Sequence, residues 1–164
     1  MRRMTVGTSI RAVLWLFLAL RPTPAAAQDG VVARVRRLAG CWATTVETFR
    51  SVTTTPIDSG LTNVPPLLRL DTLPGRGWHN DTHDWLLRAI PGTSGSRYRD
   101  GYFKPTGKDS VELHWTNGFV GLSIRAKGAG DTLSGFASAW TDYMGEQRAT
   151  IVLRRVACPS SLPE

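Results

Sequence analysis

The stretch DSVELHWTNGFVGLSIRAKGAGDTLSGFASAWTDYMGEQRATIVLRRVAC, residues 109–158, alternates apolar and polar side chains along four segments. The segments are rich in β-branched and aromatic residues, and the short turns NG, GAG and YMGE separate them. Connections this short predict antiparallel hairpins, because parallel strands need a crossover of a dozen or more residues. The predicted strands cover 109–116, 119–127, 131–142 and 147–158.

The preceding part of the chain carries four more segments with the composition of strands, bounded by Pro or Gly: 41–49, 67–73, 84–90 and 96–103. Helical periodicity occurs at 29–40, DGVVARVRRLAG, where Asp29 is placed to cap the start and Gly40 to end the helix. The apolar stripe of this helix consists of Val31, Val32, Val35 and Leu38. Eight strands without crossover helices predict an all-β fold, either a closed up-and-down barrel or a two-sheet sandwich.

The first 27 residues have the organisation of a secretory signal peptide. A basic start with three arginines precedes the apolar run 12–20 (AVLWLFLAL), and Ala25 and Ala27 place small residues before the expected cleavage site. The run is too short for a transmembrane helix, which needs about 20 apolar residues. We therefore expect a signal peptide at 1–27, one domain at 28–164, no transmembrane segment, and a secreted or periplasmic protein.

The charge of the chain gives little reason to expect nucleic acid as a partner. The net charge is +7, but four of the 20 basic residues and no acidic residue lie in the predicted signal peptide, which leaves 16 basic against 13 acidic residues, a balance of +3. The basic residues are scattered, and we interpret the one stretch that interleaves them with aromatics, RYRDGYFK at 97–104, as a strand. No nucleophile elbow or phosphate-binding loop is present, so we predict no catalytic residue and no cofactor. The oligomeric state is left open.

The chain has two cysteines, Cys41 at the start of the first strong strand and Cys158 at the end of the last. In an exported protein such a pair predicts a disulfide. The first and last strands of a closed meander are neighbours, which brings the pair within reach and favours the barrel over the sandwich. The letters LAGC at 38–41 resemble a lipobox, but they lie about 20 residues beyond the apolar run, behind three arginines, so we expect no lipid on Cys41.

The tripeptide GCW at 40–42, which follows the short helix and opens the first strand, resembles the Gly-x-Trp signature of lipocalins and related calycin barrels. In that family the Trp closes one end of the barrel and packs against an Arg near the end of the last strand, a position for which VLRRVAC offers Arg154 or Arg155. The resemblance implies an eight-stranded antiparallel barrel with a short N-terminal helix, in which Gly40 and Trp42 are structural. The family's central Thr-Asp-Tyr triplet is missing; TDY occurs at 141–143, one strand later than expected.

A barrel of eight strands is wide enough either to be filled by side chains or to hold one small ligand. If Trp42 points inward, alternation directs Thr44, Val46 and Thr48 inward as well, and apolar content adds Leu68 and Leu70. The predicted ligand contacts are Trp85, Leu87, Leu113, Trp115, Val120, Leu122 and Ile124. We therefore predict a binding protein for a small hydrophobic ligand. A packed barrel that serves as an envelope or interaction protein without a ligand is an alternative.

A second alternative rests on GWHNDTHDW at 77–85. His79 and His83 are four residues apart, with Asp81 and Asp84 beside them, and imidazole with carboxylate can bind zinc. This set would make the protein a metal-binding protein or a metal-dependent hydrolase. Spacing of four brings two His together only in a helix, however, and the surrounding glycines predict a loop, so a polar loop without metal is favoured.

We expect intact-mass analysis of the exported protein to find an N-terminus at Gln28 and a mass two hydrogens below that of the reduced chain, because the signal peptide is removed and both cysteines are oxidised. A diacylglycerol adduct on Cys41 would contradict this prediction. So would two thiols that titrate without reductant.

Overall fold

The structure, a computed structural model, describes residues 24–55, 57–74, 85–89 and 100–160. The described residues form a helix α1 (Pro24–Leu38), a 3-10 helix (Ser59–Thr62) and nine strands: β1 Gly40–Val46, β2 Arg50–Ser51, β3 Leu67–Pro74, β4 Trp85–Ala89, β5 Asp100–Pro105, β6 Ser110–Thr116, β7 Val120–Lys127, β8 Thr132–Thr141 and β9 Glu146–Val156. The chain divides into two compact units, Met1–Ala33 and Arg34–Glu164, and all nine strands belong to the second.

The sheet closes on itself. From β3 to β9 each strand pairs antiparallel with the next, and β1 pairs with both β3 and β9. The two-residue strand β2 continues along β9 beyond the end of β1, so β1 and β2 form one side of a barrel of eight strands. The predicted fold class is thereby confirmed: an all-β protein with a closed antiparallel barrel and a helix before it.

Two local expectations were wrong. Helix α1 begins at Pro24, so Asp29 lies inside the helix and does not cap it; Pro is tolerated in the first helical turn, and the alanines that follow have the highest helix propensity. Thr48 is exposed and does not face the interior. β1 ends at Val46, and the alternation of side chains does not continue through the break before β2.

The interior of the barrel is apolar and combines large with small side chains. The large, fully buried residues include Trp42, Phe103, Leu68, Leu70 and Leu87. The inward positions of β7, β8 and β9 include several buried alanines: Ala126, Ala137, Ala139 and Ala149. The inner wall therefore has large side chains on β1, β3 and β6 and two alanines in the middle of β8.

Trp42 closes one end of this interior. Its side chain is fully buried, and its Nε1 donates a hydrogen bond to the Leu38 carbonyl at 2.9 Å. Arg155 lies opposite Trp42 in the pairing of β1 with β9, and its Cζ is 4.4 Å from the centre of the indole ring. Arg154 points to solvent. The guanidinium over the indole is therefore that of Arg155.

The same guanidinium also caps the C-terminal end of helix α1. Its Nη1 donates to the Ala39 carbonyl at 2.6 Å, its Nη2 donates to the Arg37 carbonyl, and its Nε lies 3.1 Å from an Asp131 carboxylate oxygen. The last carbonyls of a helix lack partners within the helix, so these bonds satisfy them. Gly40 has φ +122°, and a Cβ there would lie 3.0 Å from Nη1 of Arg155. The backbone conformation therefore favours glycine strongly, and a larger residue would also have to displace the end of the Arg155 side chain.

A disulfide joins Cys41 to Cys158, which are 117 positions apart in sequence and have their Cα atoms 5.1 Å apart. This bond confirms the predicted pairing, and a sulfur engaged in it carries no lipid. Closing a loop of this length stabilises the fold by up to about 4–5 kcal/mol in the chain-entropy view. The bond therefore fixes the seam between the first and last strands.

Arg155→Lys should lower the free energy of unfolding by about 1–3 kcal/mol, because an ammonium group cannot serve two carbonyls and the indole face together. Arg154→Lys, one residue away on the exposed face, should change it by less than about 0.5 kcal/mol. Trp42→Ala should cost roughly 3–5 kcal/mol. Urea denaturation of the three variants measures these effects. Equal losses for the two arginine variants would contradict the assignment of Arg155.

Candidate functional site

The predicted ligand contacts lie on the inward face of three strands, β4, β6 and β7. Five of the seven are buried: Leu87, Leu113, Trp115, Leu122 and Ile124. The other two, Trp85 and Val120, are half-buried and stand at the first position of their strands. The structure thus places all seven on one surface, and their contact with a ligand stays a prediction.

Trp115 lies across a glycine on the neighbouring strand. A Cβ at Gly101 of β5 would come within 2.8 Å of Cδ1 and 3.0 Å of Nε1 of the indole. The absence of a side chain at Gly101 therefore lets the ring lie against the backbone of β5, and Leu122 of β7 is the opposite neighbour of Trp115. The sequence analysis missed Gly101, because a lone glycine within a strand gives no indication of which side chain covers it.

Trp85 brings a polar group into this apolar lining. It lies opposite Phe103 of β5 and Pro74 of β3, next to a register shift on β3 that follows Leu70. Its Nε1 is shielded from solvent and has no hydrogen-bond acceptor among the described residues. A buried donor without an acceptor costs about 1–3 kcal/mol. A ligand atom that accepted this hydrogen bond would recover that free energy.

The connection from β2 to β3 packs across two strands of the barrel. Its 3-10 helix contacts β7 and β8 and carries Leu61, which is buried. Asp58 caps this helix by accepting from the Gly60 amide at 2.8 Å, and Thr44 of β1 donates to the Pro65 carbonyl at 2.7 Å. Leu61 was also missed, since a single apolar residue in a polar loop forms no periodic pattern.

A cluster of charged side chains occupies the outer face of β5, β6 and β7. Glu112 is its centre and is only 7 % exposed. One oxygen of its carboxylate lies 2.6 Å from Nε of Arg125 and 3.3 Å from Nε2 of His114, and the other lies 3.7 Å from Nζ of Lys104. The His114 ring stacks on Tyr102 with centroids 5.0 Å apart. His114 therefore lies outside the barrel, where alternation predicts it.

The surroundings of this cluster shift two pKa values in the same direction. Burial raises the pKa of Glu112, but the hydrogen bond from Arg125 and the nearby positive charges outweigh it, so the pKa lies below its ordinary value of 4.5. Burial lowers the pKa of His114 below 6.5, and the attraction of Glu112 only partly opposes this. At neutral pH the carboxylate is therefore ionised and the imidazole neutral. The cluster ties three strands together through one shielded anion.

The metal hypothesis concerns residues outside the described part of the chain. His79, Asp81 and His83 fall in 75–84, which the structure does not describe. Elsewhere, within the described ranges, no group of three or more His, Cys, Asp or Glu side chains could hold a metal ion. The metal site accordingly stays an untested alternative to the polar loop that the sequence favours.

No helix in the described residues is long and apolar enough to cross a membrane. No protein-family model matches the chain, and no curated protein is significantly similar to it. The closed eight-stranded antiparallel barrel preceded by a helix is consistent with a lipocalin-like fold.

Acid should destabilise the protein in two steps. A lowered pKa in the folded state means that the unfolded state binds more protons, so stability present above the unfolded pKa is lost as the pH falls. The loss due to His114 should begin near pH 6.5, and the loss due to Glu112 near pH 4.5. His114→Gln should flatten the first step and Glu112→Gln the second. Urea denaturation at a series of pH values tests this, and a His114→Gln profile parallel to that of the wild type would contradict it.

Proposed function

We propose that the protein is an exported binding protein whose barrel holds one small, largely apolar molecule that carries a hydrogen-bond acceptor. The closed barrel supports a binding role, since barrels of this size can enclose one small ligand. The apolar inward face supports a hydrophobic ligand. The observation that carries the proposal is the indole N–H of Trp85, which is buried without an acceptor in the described part of the chain.

The chemistry of the lining determines the ligand class. Apolar side chains favour a molecule with little polar surface, and one or a few polar groups in such a site fix its orientation. The indole N–H donates and cannot accept, so it selects a carbonyl, carboxylate, ether or hydroxyl oxygen. Trp85 is half-buried at the first position of β4, but its Nε1 is shielded from solvent, so a ligand would meet this donor only within the barrel.

Trp115 lies deeper than Trp85 and is 2 % exposed. Its ring rests on Gly101, so no β5 side chain lies between the ring and the backbone of that strand at this position. We assign Trp115 the inner wall of the ligand site. Val120, half-buried at the start of β7, contributes to its edge.

The two alternatives differ from this proposal in what the protein would bind. The metal-binding protein or metal-dependent hydrolase would use His79, Asp81 and His83, and it would copurify with a metal ion. The packed barrel, an envelope or interaction protein, would bind neither a metal nor an apolar probe. Native mass spectrometry for copurified lipid or metal separates the three.

Titration with the fluorescent fatty acid cis-parinaric acid should give saturable binding at micromolar concentration in the wild type. Trp85→Phe keeps an aromatic ring but removes the donor, so it should weaken binding about three- to tenfold while leaving the melting temperature unchanged or slightly raised. Trp115→Ala should weaken binding further and cost less stability than Trp42→Ala. Trp140→Phe, on the outer face of β8, is the matched control and should bind as the wild type does.

A wild type that binds no apolar probe at micromolar concentration, together with a Trp115→Ala variant as destabilised as Trp42→Ala, would show that the interior is a packed core. If Trp85→Phe and Trp140→Phe weakened probe binding equally, the Trp85 N–H would not contribute specifically to binding.

A further inference from the structure

The outer face of β7, β8 and β9 carries a groove of about 810 Å³, closed on one side by the segment 47–52 where the chain turns from β1 into β2. We call it the outer groove. It lies on the opposite face of the sheet from the barrel interior, because nearly all of its lining side chains are the outward members of strands whose inward members line the core. Leu122 and Ile124 point inward on β7, and Ser123 and Arg125 between and beside them point into the groove.

The register of the strands arranges the side chains on the floor of the outer groove in rows that run across the strands. Its middle row is Ser123 of β7, Ser138 of β8, Arg148 of β9 and Arg50 of β2, each opposite the next. Adjacent members of such a row are about 5 Å apart. Two aromatic residues of β8 flank Ser138 on the same face of the sheet, Phe136 on one side and Trp140 on the other.

The two aromatic residues present flat apolar surfaces. Trp140 is half-buried because its indole lies directly over Gly121 of β7, where a Cβ would be 2.7 Å from Cζ2 and 2.8 Å from Cε2. Phe136 is 63 % exposed and also borders a second depression of about 450 Å³. Four strand positions separate the rings, or about 13 Å. The groove is thus long enough for more than one ring of a chain molecule.

The polar groups between the rings are already oriented. Oε1 of Glu146 accepts hydrogen bonds from Oγ of Ser138 and from Nε of Arg148, both at 2.6 Å. Oε2 has no partner among the described residues and remains an acceptor for a ligand. These two hydrogen bonds lower the pKa of Glu146, so the carboxylate is ionised at neutral pH. The outer nitrogens of Arg148 remain available as donors beside it.

The charges of the outer groove nearly balance. Its lining contains three arginines (Arg50, Arg125 and Arg148) and two glutamates (Glu47 and Glu146), and Arg125 is further paired with Glu112 at 2.6 Å. A site for an anion would leave its cations unpaired. This site instead offers acceptors and donors together, next to exposed aromatic faces.

We propose that the outer groove binds a neutral oligosaccharide. The C–H face of a sugar ring packs on an aromatic face, and its hydroxyl groups both donate and accept hydrogen bonds, so it matches a surface where Phe136 and Trp140 flank the Ser138, Glu146 and Arg148 set. The ligand chain lies along β8, with its hydroxyl groups toward Oε2 of Glu146 and the outer nitrogens of Arg148.

A glycan array with neutral and uronic oligosaccharides tests the ligand class, followed by isothermal titration with the best neutral tetrasaccharide. Phe136→Ala should weaken binding at least about fivefold, and Glu146→Gln about tenfold, without loss of melting temperature. Phe119→Ala is the matched control: Phe119 is 68 % exposed, much as Phe136 is, but does not line the groove. It should change binding less than twofold.

Binding should also persist in about 1 M salt, because a neutral ligand is not held by net charge. It should be unchanged in Trp85→Phe, so failure of the interior site and of the outer groove can be told apart. The proposal is overturned if no neutral glycan binds, if only uronic glycans bind and salt releases them, or if Phe119→Ala weakens binding as much as Phe136→Ala.

Discussion

The contact between Trp42 and Arg155 joins the end of helix α1 and the start of β1 to the end of β9, which lies more than 100 residues further along the chain. The indole is fully buried at the end of the barrel, and the guanidinium lies over it at 4.4 Å. The guanidinium also donates hydrogen bonds to the Arg37 and Ala39 carbonyls at the end of helix α1, and hydrogen bonds that involve a charged group contribute about 1.5–3 kcal/mol. Because β1 and β9 carry the two residues in direct register, this contact exists only when the sheet is closed. Closing the barrel, ending helix α1 and burying Trp42 therefore all depend on the same contact.

Closure gives each strand two chemically different faces. On β6 to β9 the inward residues are leucine, isoleucine, valine, alanine and tryptophan, whereas the outward residues carry nearly all of the charged and hydroxyl groups. Glu112 faces outward but is nevertheless buried, because the side chains of Arg125, His114 and Lys104 cover it. Long side chains can shield a charge in this way without placing it in the core. A single sheet thus combines an apolar interior with a polar outer groove.

Glycines decide where the aromatic rings of both faces lie. Gly101 leaves space on β5 for the Trp115 indole inside the barrel, and Gly121 leaves space on β7 for the Trp140 indole outside it. A Cβ at either position would come within 3 Å of the ring. The two tryptophans are therefore laid flat along the sheet, one beside the proposed apolar ligand and one on the floor of the outer groove.

Local pattern was sufficient for much of the fold. The alternation and short turns of 109–158 determined four hairpin strands to within a few residues, and the same alternation placed Leu113, Leu122 and Ile124 inside. The cysteine positions determined the disulfide and, with it, the neighbouring first and last strands. These features depend on the period of the backbone and on the order of the chain, both of which the sequence contains.

The tertiary structure alone decided the contacts between distant strands. Two adjacent arginines end β9, and only the register with β1 selects Arg155 for Trp42. Thr48 faces outward because the first strand breaks after Val46, and the return of that strand along β9 as β2 creates the outer groove. Neither Gly101 nor Gly121 indicates in sequence which ring will cover it. Register and closure depend on the summed packing of all eight strands, so no short segment of the chain determines them.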